Sequence, residues 1–109
     1  MRPGEVWWLE FPARGGHAQA GRRPAIVVQR VKTLPTVLLV PLTSQLDTLR
    51  FSGTEFVEPD AQNGLRKPSV ALVFQLTAVD RRYLASRIGN ISDSVLKKTW
   101  LNFDELTGR

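Results

Sequence analysis

The chain is built from short apolar runs separated by turn residues, with one helical pattern after them near the C-terminus. Runs of this length, rich in β-branched and aromatic side chains, predict β-strands. The predicted strands cover residues 5–11, 24–30, 36–43, 54–58, 69–76 and 87–91, with a short helical turn at 80–83. Five or six short strands followed by one helix predict a mainly β fold, a small and strongly curved sheet or barrel with the helix on one side.

The terminal helix has its own start and stop signals. Ser92 can act as the N-cap, and the predicted helix ends near Gly108. The residues expected to pack on the sheet share one helical face: Val95, Thr99, Trp100 and Phe103. Two further expectations concern the strands. Trp7 and Trp8 are expected in the core, and Pro41 predicts a bulge or an edge position in the third strand.

Length and composition exclude several classes of protein. A chain of 109 residues predicts a single domain covering 1–109. The absence of cysteine excludes disulfides, a thiolate nucleophile and a cysteine-ligated zinc site. No apolar run approaches the ~20 residues that span a bilayer, and the N-terminus lacks the apolar core of a secretory signal. The expectation is a cytoplasmic protein that needs no metal or cofactor and has no membrane partner.

The charge distribution points to an anionic partner. The net charge is +5, and the segment between Phe11 and Leu46 carries five basic residues and no acidic one. These basic residues are Arg14, Arg22, Arg23, Arg30 and Lys32. Charge alone leaves three interpretations open: nucleic acid, an acidic protein segment, or a solvated basic face.

A glycine-rich loop before the second strand carries the residues best suited to chemistry on a phosphate. It contains His17, the only histidine, and ends in Arg22 and Arg23 before Pro24. Pro24 biases Arg23 towards an extended backbone. The arginine fork matches phosphate oxygens, and a histidine can transfer a proton near neutral pH. This combination suggests chemistry on nucleic acid.

Several motifs, in order along the chain, resemble one family. They are RPGEVWW at 2–8, GHAQAGRRP at 16–24, VPLTS at 40–44, SVALVFQLT at 69–77 and VDRRYL at 79–84. Together with the terminal helix they resemble the MazF, PemK and Kid toxins of bacterial toxin–antitoxin pairs. The resemblance covers essentially the whole chain, and the loop ending in RRP together with PLTS is its most specific part.

The resemblance implies a fold, an activity and partners. The fold is a small SH3-like barrel of the CcdB/PemK type with a C-terminal helix, assembled as a homodimer. The activity is that of a metal-independent endoribonuclease, an mRNA interferase, which cuts single-stranded RNA at short sequence motifs. The partner is a cognate antitoxin whose acidic, flexible tail lies along the RNA groove.

The resemblance also assigns roles to individual residues. Arg23 would stabilise the phosphate, Thr43 would hydrogen-bond the phosphate or the 2′-OH, and His17 would be the general acid or base. The expected RNA-binding residues are Gln19, Arg22, Ser44, Arg50, Phe51 and Phe74.

Three positions depart from the family pattern. Phe74 stands where many relatives have Asp or Glu, Leu72 where some have arginine, and Ala18 where many have Glu. A carboxylate suited to general-base catalysis is therefore missing, and Glu10 and Asp80 are not obvious replacements. Phe74 either stacks on a base or packs in the core.

Two alternatives to an active ribonuclease follow from the sequence. The first is a catalytically weak or inactive relative that still binds RNA or antitoxin, an interpretation that Phe74 and Leu72 motivate. The second is a toxin of the CcdB type directed at DNA gyrase, against which the arginines of the RRP loop argue.

Overall fold

Seven strands and one α-helix are formed by residues 1–11 and 21–109, the part of the chain that the computed structural model describes. The strands are β1 (Glu5–Phe11), β2 (Gly21–Arg30), β3 (Thr36–Thr43), β4 (Thr54–Val57), β5 (Ser69–Leu72), β6 (Thr77–Asp80) and β7 (Leu84–Asn90). The helix is α1 (Asp93–Thr107), and short 3-10 helices cover Leu46–Arg50, Val73–Gln75 and Arg81–Tyr83. The predicted strands followed by one terminal helix are confirmed.

All strand pairs are antiparallel. The sheet order is β4-β5-β3-β2-β1-β7, and β6 also pairs with β3, alongside the part of β3 that β5 does not reach. The third strand is therefore interior, and the expectation of an edge strand at Pro41 is wrong. Pro41 pairs with Ala25 on one side, whereas on the other side the pairing of β3 stops at Leu42 and resumes at Leu39. A proline fits at this interruption because it has no N–H to donate.

The predicted strand 69–76 consists of β5 followed by a 3-10 helix, and β6, which starts at Thr77, is not among the predicted strands. Leu42 pairs with Ala71, and Leu39 pairs with Thr77, so three steps along β3 correspond to six steps along its partner. The three additional residues form the 3-10 helix Val73–Gln75 beside Pro41. An unbroken apolar run does not reveal such an insertion, because Val73 and Phe74 of the 3-10 helix extend the apolar pattern of β5.

Other element boundaries differ by about three residues from the expectation. β2 begins at Gly21 and β7 begins at Leu84. The early part of β7 escaped prediction because Ala85 and Ser86 are exposed and lack an apolar pattern.

Two apolar clusters lie on opposite faces of the curved sheet. Ile26 and Val28 of β2 belong to the larger cluster, which α1 covers with its apolar face. Ala25 and Val27 belong to the smaller one, which is covered by the part-buried side chains Trp7, Val79 and Tyr83. Alternate residues of β2 thus face opposite sides, as the strand geometry requires.

The ends of α1 match the sequence signals. The Ser92 hydroxyl accepts a hydrogen bond from the Val95 N–H at 3.2 Å, and Gly108 ends the helix in the left-handed conformation. Its side chains Val95, Leu96, Trp100 and Phe103 pack on the larger cluster. Within the described residues, no helix is both long and apolar enough to cross a membrane.

Candidate active site

Arg23 and Thr43 lie at neighbouring ends of two adjacent strands. β2 enters the sheet through Arg22, Arg23 and Pro24, and β3 leaves it at Thr43. The last pair in the β2–β3 ladder at this end is Ala25 with Pro41. Continuing the antiparallel register by two residues sets Arg23 opposite Thr43, on the same face of the sheet. The fold thus brings together two residues that are twenty positions apart in sequence.

The two arginines of the loop end differ in their surroundings. Arg22 forms an ion pair with Glu10 at 3.7 Å, and its guanidinium carbon lies 4.8 Å from the centroid of the Trp8 ring. Arg23 is exposed and forms no ion pair with any carboxylate of the described residues. A guanidinium without an internal partner can give all its donors to a phosphate. Arg23 therefore fits the predicted phosphate-binding role better than Arg22 does.

The Thr43 hydroxyl is held so that its proton remains available. The backbone N–H of Gln45 donates to Thr43 Oγ1 at 3.2 Å, and the side chain is half-buried. A hydroxyl group that accepts a hydrogen bond can still donate its own proton. Thr43 is thus positioned to donate to an anionic oxygen in front of the strand end.

Phe51 and Phe74 form an exposed aromatic pair beside this site. Their ring centroids are 6.1 Å apart in an edge-to-face arrangement, and the rings are 46% and 44% exposed. The guanidinium carbon of Arg50 lies 4.9 Å from the Phe51 centroid. The Phe74 N–H donates to Gly53 O at 3.1 Å, which connects the 3-10 helix Val73–Gln75 to the loop before β4. Core packing of Phe74, one of the two expectations from the sequence, is wrong.

A cleft of about 280 Å³ opens next to the strand ends. Its apolar lining comes from Trp8, Pro24, Leu65 and Ile88, and its polar lining includes Ser44, Arg66 and Lys67. Pro24 and Ser44 directly follow Arg23 and Thr43, so the cleft lies at the same strand ends, on the face of the sheet opposite to the Arg23 and Thr43 side chains. Trp8, expected in the core, is half-buried and lines this cleft.

Arg66 and Lys67 are basic residues of this cleft that were not predicted from the sequence. They lie in a loop fixed by the buried Asn63, whose side chain accepts from the N–H groups of Asp60 and Leu65 and donates to Glu58 O. The available signal was two adjacent cations between turn residues, Gly64 and Pro68. Only the folded sheet brings this loop to Pro24 and Ser44.

Neither Glu10 nor Asp80 replaces the acid that the family pattern expects at Phe74. Glu10 is engaged by Arg22, and Asp80 accepts from the Arg82 N–H at 3.0 Å at the start of a 3-10 helix. The predicted site residues His17 and Gln19, with the departure at Ala18, lie outside the described residues.

The sequence of this chain matches the family of PemK-like, MazF-like toxins of type II toxin–antitoxin systems over residues 2–104. The chain belongs to this family. Among its relatives, endoribonuclease EndoA of Bacillus subtilis is 26% identical over 102 residues, which cover 90% of this chain and 86% of EndoA. The probable endoribonuclease MazF5 of Mycobacterium tuberculosis is 29% identical over 93 residues, covering 83% and 77% of the two chains.

Solved MazF structures share the fold. The crystal structure of MazF from Deinococcus radiodurans superposes with a TM-score of 0.76 at 24% identity, covering 98% of this chain and 96% of that one. MazF in a MazE–MazF complex of the same organism gives 0.77 at 26% identity, covering 97% and 94%. The MazF-like fold implied by the sequence motifs is therefore confirmed, whereas the homodimer stays a prediction.

Proposed function

We propose that this toxin-family chain is a metal-independent, sequence-selective endoribonuclease acting on single-stranded RNA in the cytoplasm. The observation that carries the proposal is the exposed Arg23, free of internal carboxylates among the described residues, at the strand end facing Thr43. Family membership and relatives that are named endoribonucleases support the same activity.

The reaction uses the 2′-OH of the substrate as its nucleophile. The 2′ oxygen attacks the adjacent phosphorus and the bond from phosphorus to O5′ breaks, which gives a 2′,3′-cyclic phosphate and a 5′-OH. The proton lost by the 2′-OH goes to a base, and O5′ takes up a proton as it leaves. Because the substrate supplies the attacking oxygen, the protein has only to place charge and protons.

Arg23 and Thr43 stabilise the phosphorane. The Arg23 guanidinium binds the non-bridging oxygens as negative charge accumulates on them, and the Thr43 hydroxyl donates to one of these oxygens. We assign the proton transfer to His17, which can act as general acid or base near neutral pH. With Phe74 in place of an acid, the reaction depends on this single imidazole.

Base recognition falls to the surface next to the strand ends. The Phe51–Phe74 pair offers ring faces for stacking, and Arg50 adds a cation beside it. Ser44 lines the adjoining cleft, while Arg22 and Gln19 complete the proposed RNA contacts.

The proposed protein partner is a cognate antitoxin with an acidic, flexible tail. A MazF of Deinococcus radiodurans has been crystallised with MazE, and an endoribonuclease of a mycobacterial species with its cognate antitoxin. The cations at Arg23, Arg66 and Lys67 attract carboxylates as they attract phosphates. An acidic tail on this surface competes directly with RNA.

The test is cleavage of mixed-sequence RNA by the purified chain in EDTA, with new 5′-OH ends mapped. We expect cuts at a short motif, and a loss of about 10²- to 10³-fold in rate for Arg23→Ala, the usual cost of removing one oxyanion donor. Arg109→Ala, which removes the same charge at the far end of α1, serves as the control and should cleave normally. Intact RNA at high protein excess, with wild type and Arg23→Ala indistinguishable, contradicts the proposal.

One observation favours a second candidate, a weak relative that binds RNA without cutting it efficiently. Phe74 removes the acidic side chain expected there, and loss of a general base costs about 10²- to 10⁴-fold in rate. This candidate predicts salt-sensitive RNA binding in the same preparation with no mapped ends. The family match is to PemK-like and MazF-like toxins, which argues against the gyrase-directed alternative.

A further inference from the structure

A basic hollow of about 360 Å³ lies far from Arg23 and Thr43, and we define it by Met1, Arg30, Lys32 and Arg81. Arg23 stands near the start of β2 and Arg30 at its end, seven residues away. At ~3.3 Å per strand residue, the two arginines are about 23 Å apart. The hollow is therefore separate from the candidate active site.

Two of the three cations are fixed to the turn that joins β2 and β3. The Arg30 guanidinium donates to Leu34 O at 2.8 Å and also to Val31 O. The backbone N–H of Arg81 donates to Pro35 O at 3.0 Å, which attaches the start of a 3-10 helix to the same turn. Lys32 lies in this turn and is exposed. The cations are thus brought together by backbone contacts.

None of the described residues that line the hollow carries a carboxylate. The acidic residue beside it in sequence, Asp80, is occupied by Arg82, whose backbone N–H it accepts at 3.0 Å and whose Nε lies 3.6 Å from it. In the described part of the chain, Lys32 and Arg81 have no ion-pair partner. Like charges held together raise the free energy of the folded state, and a bound anion relieves this repulsion.

We propose that the basic hollow is a second phosphate-binding site, which takes a backbone phosphate of the same RNA strand whose scissile bond lies at Arg23. This inference rests on the proposed function. An anion with several oxygens suits the site, because two guanidinium groups and an ammonium group can each bind a different oxygen. A strand reaching both sites gains affinity from its length, independently of the sequence at the cut.

The test is the salt dependence of binding to 2′-O-methyl RNA, which resists cleavage because its 2′ oxygen has no proton to lose. The probes are a mixed-sequence 20-mer and a tetranucleotide, whose phosphates span less than the separation of the two sites. For single strands the slope of log K against log salt changes by about 0.7 for each phosphate contact. Lys32→Gln and Arg81→Gln should each reduce the 20-mer slope by up to this amount, and leave the tetranucleotide slope unchanged.

Controls separate the hollow from overall charge. Lys97→Gln removes one charge from the exposed face of α1 and should leave both slopes unchanged. Arg81→Lys should restore most of the 20-mer slope, since it returns the charge. Arg82→Gln is unsuitable as a control, because it would free Asp80 to neutralise Arg81. Both test positions have exposed side chains without internal bonds, so folding is expected to survive.

The outcomes distinguish this inference from the function on which it rests. The second site alone is overturned if the wild type cleaves RNA in a way that depends on Arg23, but the 20-mer slopes of Lys32→Gln and Arg81→Gln equal that of the wild type. A wild-type protein that neither binds nor cleaves RNA overturns the proposed function. Inorganic phosphate provides a further arm, read by NMR shifts of the Arg30 and Arg81 side chains. Shifts with phosphate and none with the 20-mer identify a free-anion site and overturn the RNA assignment.

Discussion

Phe74 shows how one side chain can change the chemistry of a site without changing the fold around it. The resemblance expects an acid here, and the structure places an exposed ring against Phe51. A carboxylate at this position serves proton transfer, whereas a ring serves stacking. For the proposed ribonuclease, a side chain suited to stacking thus stands where one suited to proton transfer is expected.

We predict that Phe74→Ala weakens RNA binding. Stacking on an aromatic side chain contributes about 1–3 kcal/mol per base, which corresponds to about a 5- to 150-fold loss of affinity. Titration of fluorescent 2′-O-methyl RNA measures this without interference from cleavage. Leu101→Ala, which trims a 53% exposed apolar side chain on α1, is the matched control. Equal affinities for wild type and Phe74→Ala would show that the ring does not contact a base.

At the scale of residues, the sequence predicts those site features that depend on local chemistry. Arg23 and Thr43 could be chosen from their motifs, and the structure places them on adjacent strand ends. The sequence left two alternatives for Phe74, and its exposure follows from the offset between β5 and β6. Arg66 and Lys67 join the site only through the long-range pairing that positions their loop.

Among the elements, β7 depends on one close approach to the loop that carries Asn63. The Asn90 N–H donates to Gln62 O at 2.9 Å, and a Cβ added at Gly89 would lie 2.3 Å from that same oxygen. Both contacts are to backbone, which cannot rotate away as a side chain can. Glycine at position 89 is therefore required for β7 to reach this loop.

We expect Gly89→Ala to lower the free energy of unfolding by about 1–3 kcal/mol, the usual cost of overpacking. Thermal denaturation followed by circular dichroism measures the change. Gly21→Ala is the control, because an added Cβ there meets none of the described residues within 4 Å, and its stability should stay within about 0.5 kcal/mol of wild type. A Gly89→Ala protein that melts with the wild type contradicts the argument.

The predictability of the elements follows from their patterning. The helix α1 could be placed because its cap, apolar face and terminal glycine agree. Strands β1 to β5 were found from apolar runs. β6 was missed because the apolar run of β5 continues through the 3-10 helix and ends where β6 begins, and the residues of β6 are exposed or half-buried. The first part of β7 was missed because its exposed residues carry no alternation.

On the scale of the whole molecule, Glu5 joins the two ends of the chain. Its carboxylate accepts from the Trp7 indole N–H at 2.8 Å and lies 3.5 Å from Arg87, a residue of β7 eighty-two positions later. Burial raises the pKa of the Glu5 carboxyl. The Trp7 hydrogen bond, a backbone hydrogen bond from Arg2 and the positive charges of the N-terminus and Arg87 outweigh this, so the pKa lies below its ordinary value.

This lowered pKa makes part of the free energy of unfolding depend on pH. A carboxyl whose pKa is lower in the folded state stabilises the fold fully above its ordinary pKa of 4.5, and loses that effect as the pH falls through the folded value. Glu5→Gln should therefore be less stable than wild type at neutral pH, and the difference should shrink as the pH falls below 4.5. Urea denaturation across this range measures it. A difference that is constant with pH would exclude the linkage.

The 3-10 helix Val73–Gln75 interrupts the pairing of β3 at Pro41 and lifts position 74 out of the hydrogen-bonded ladder. Val73 anchors this turn in the larger apolar cluster, whereas Phe74 and Gln75 are exposed. Substitutions at Phe74 and Gln75 are therefore expected to cost little folding stability, so the side chains that the turn presents to solvent can change while the sheet stays the same.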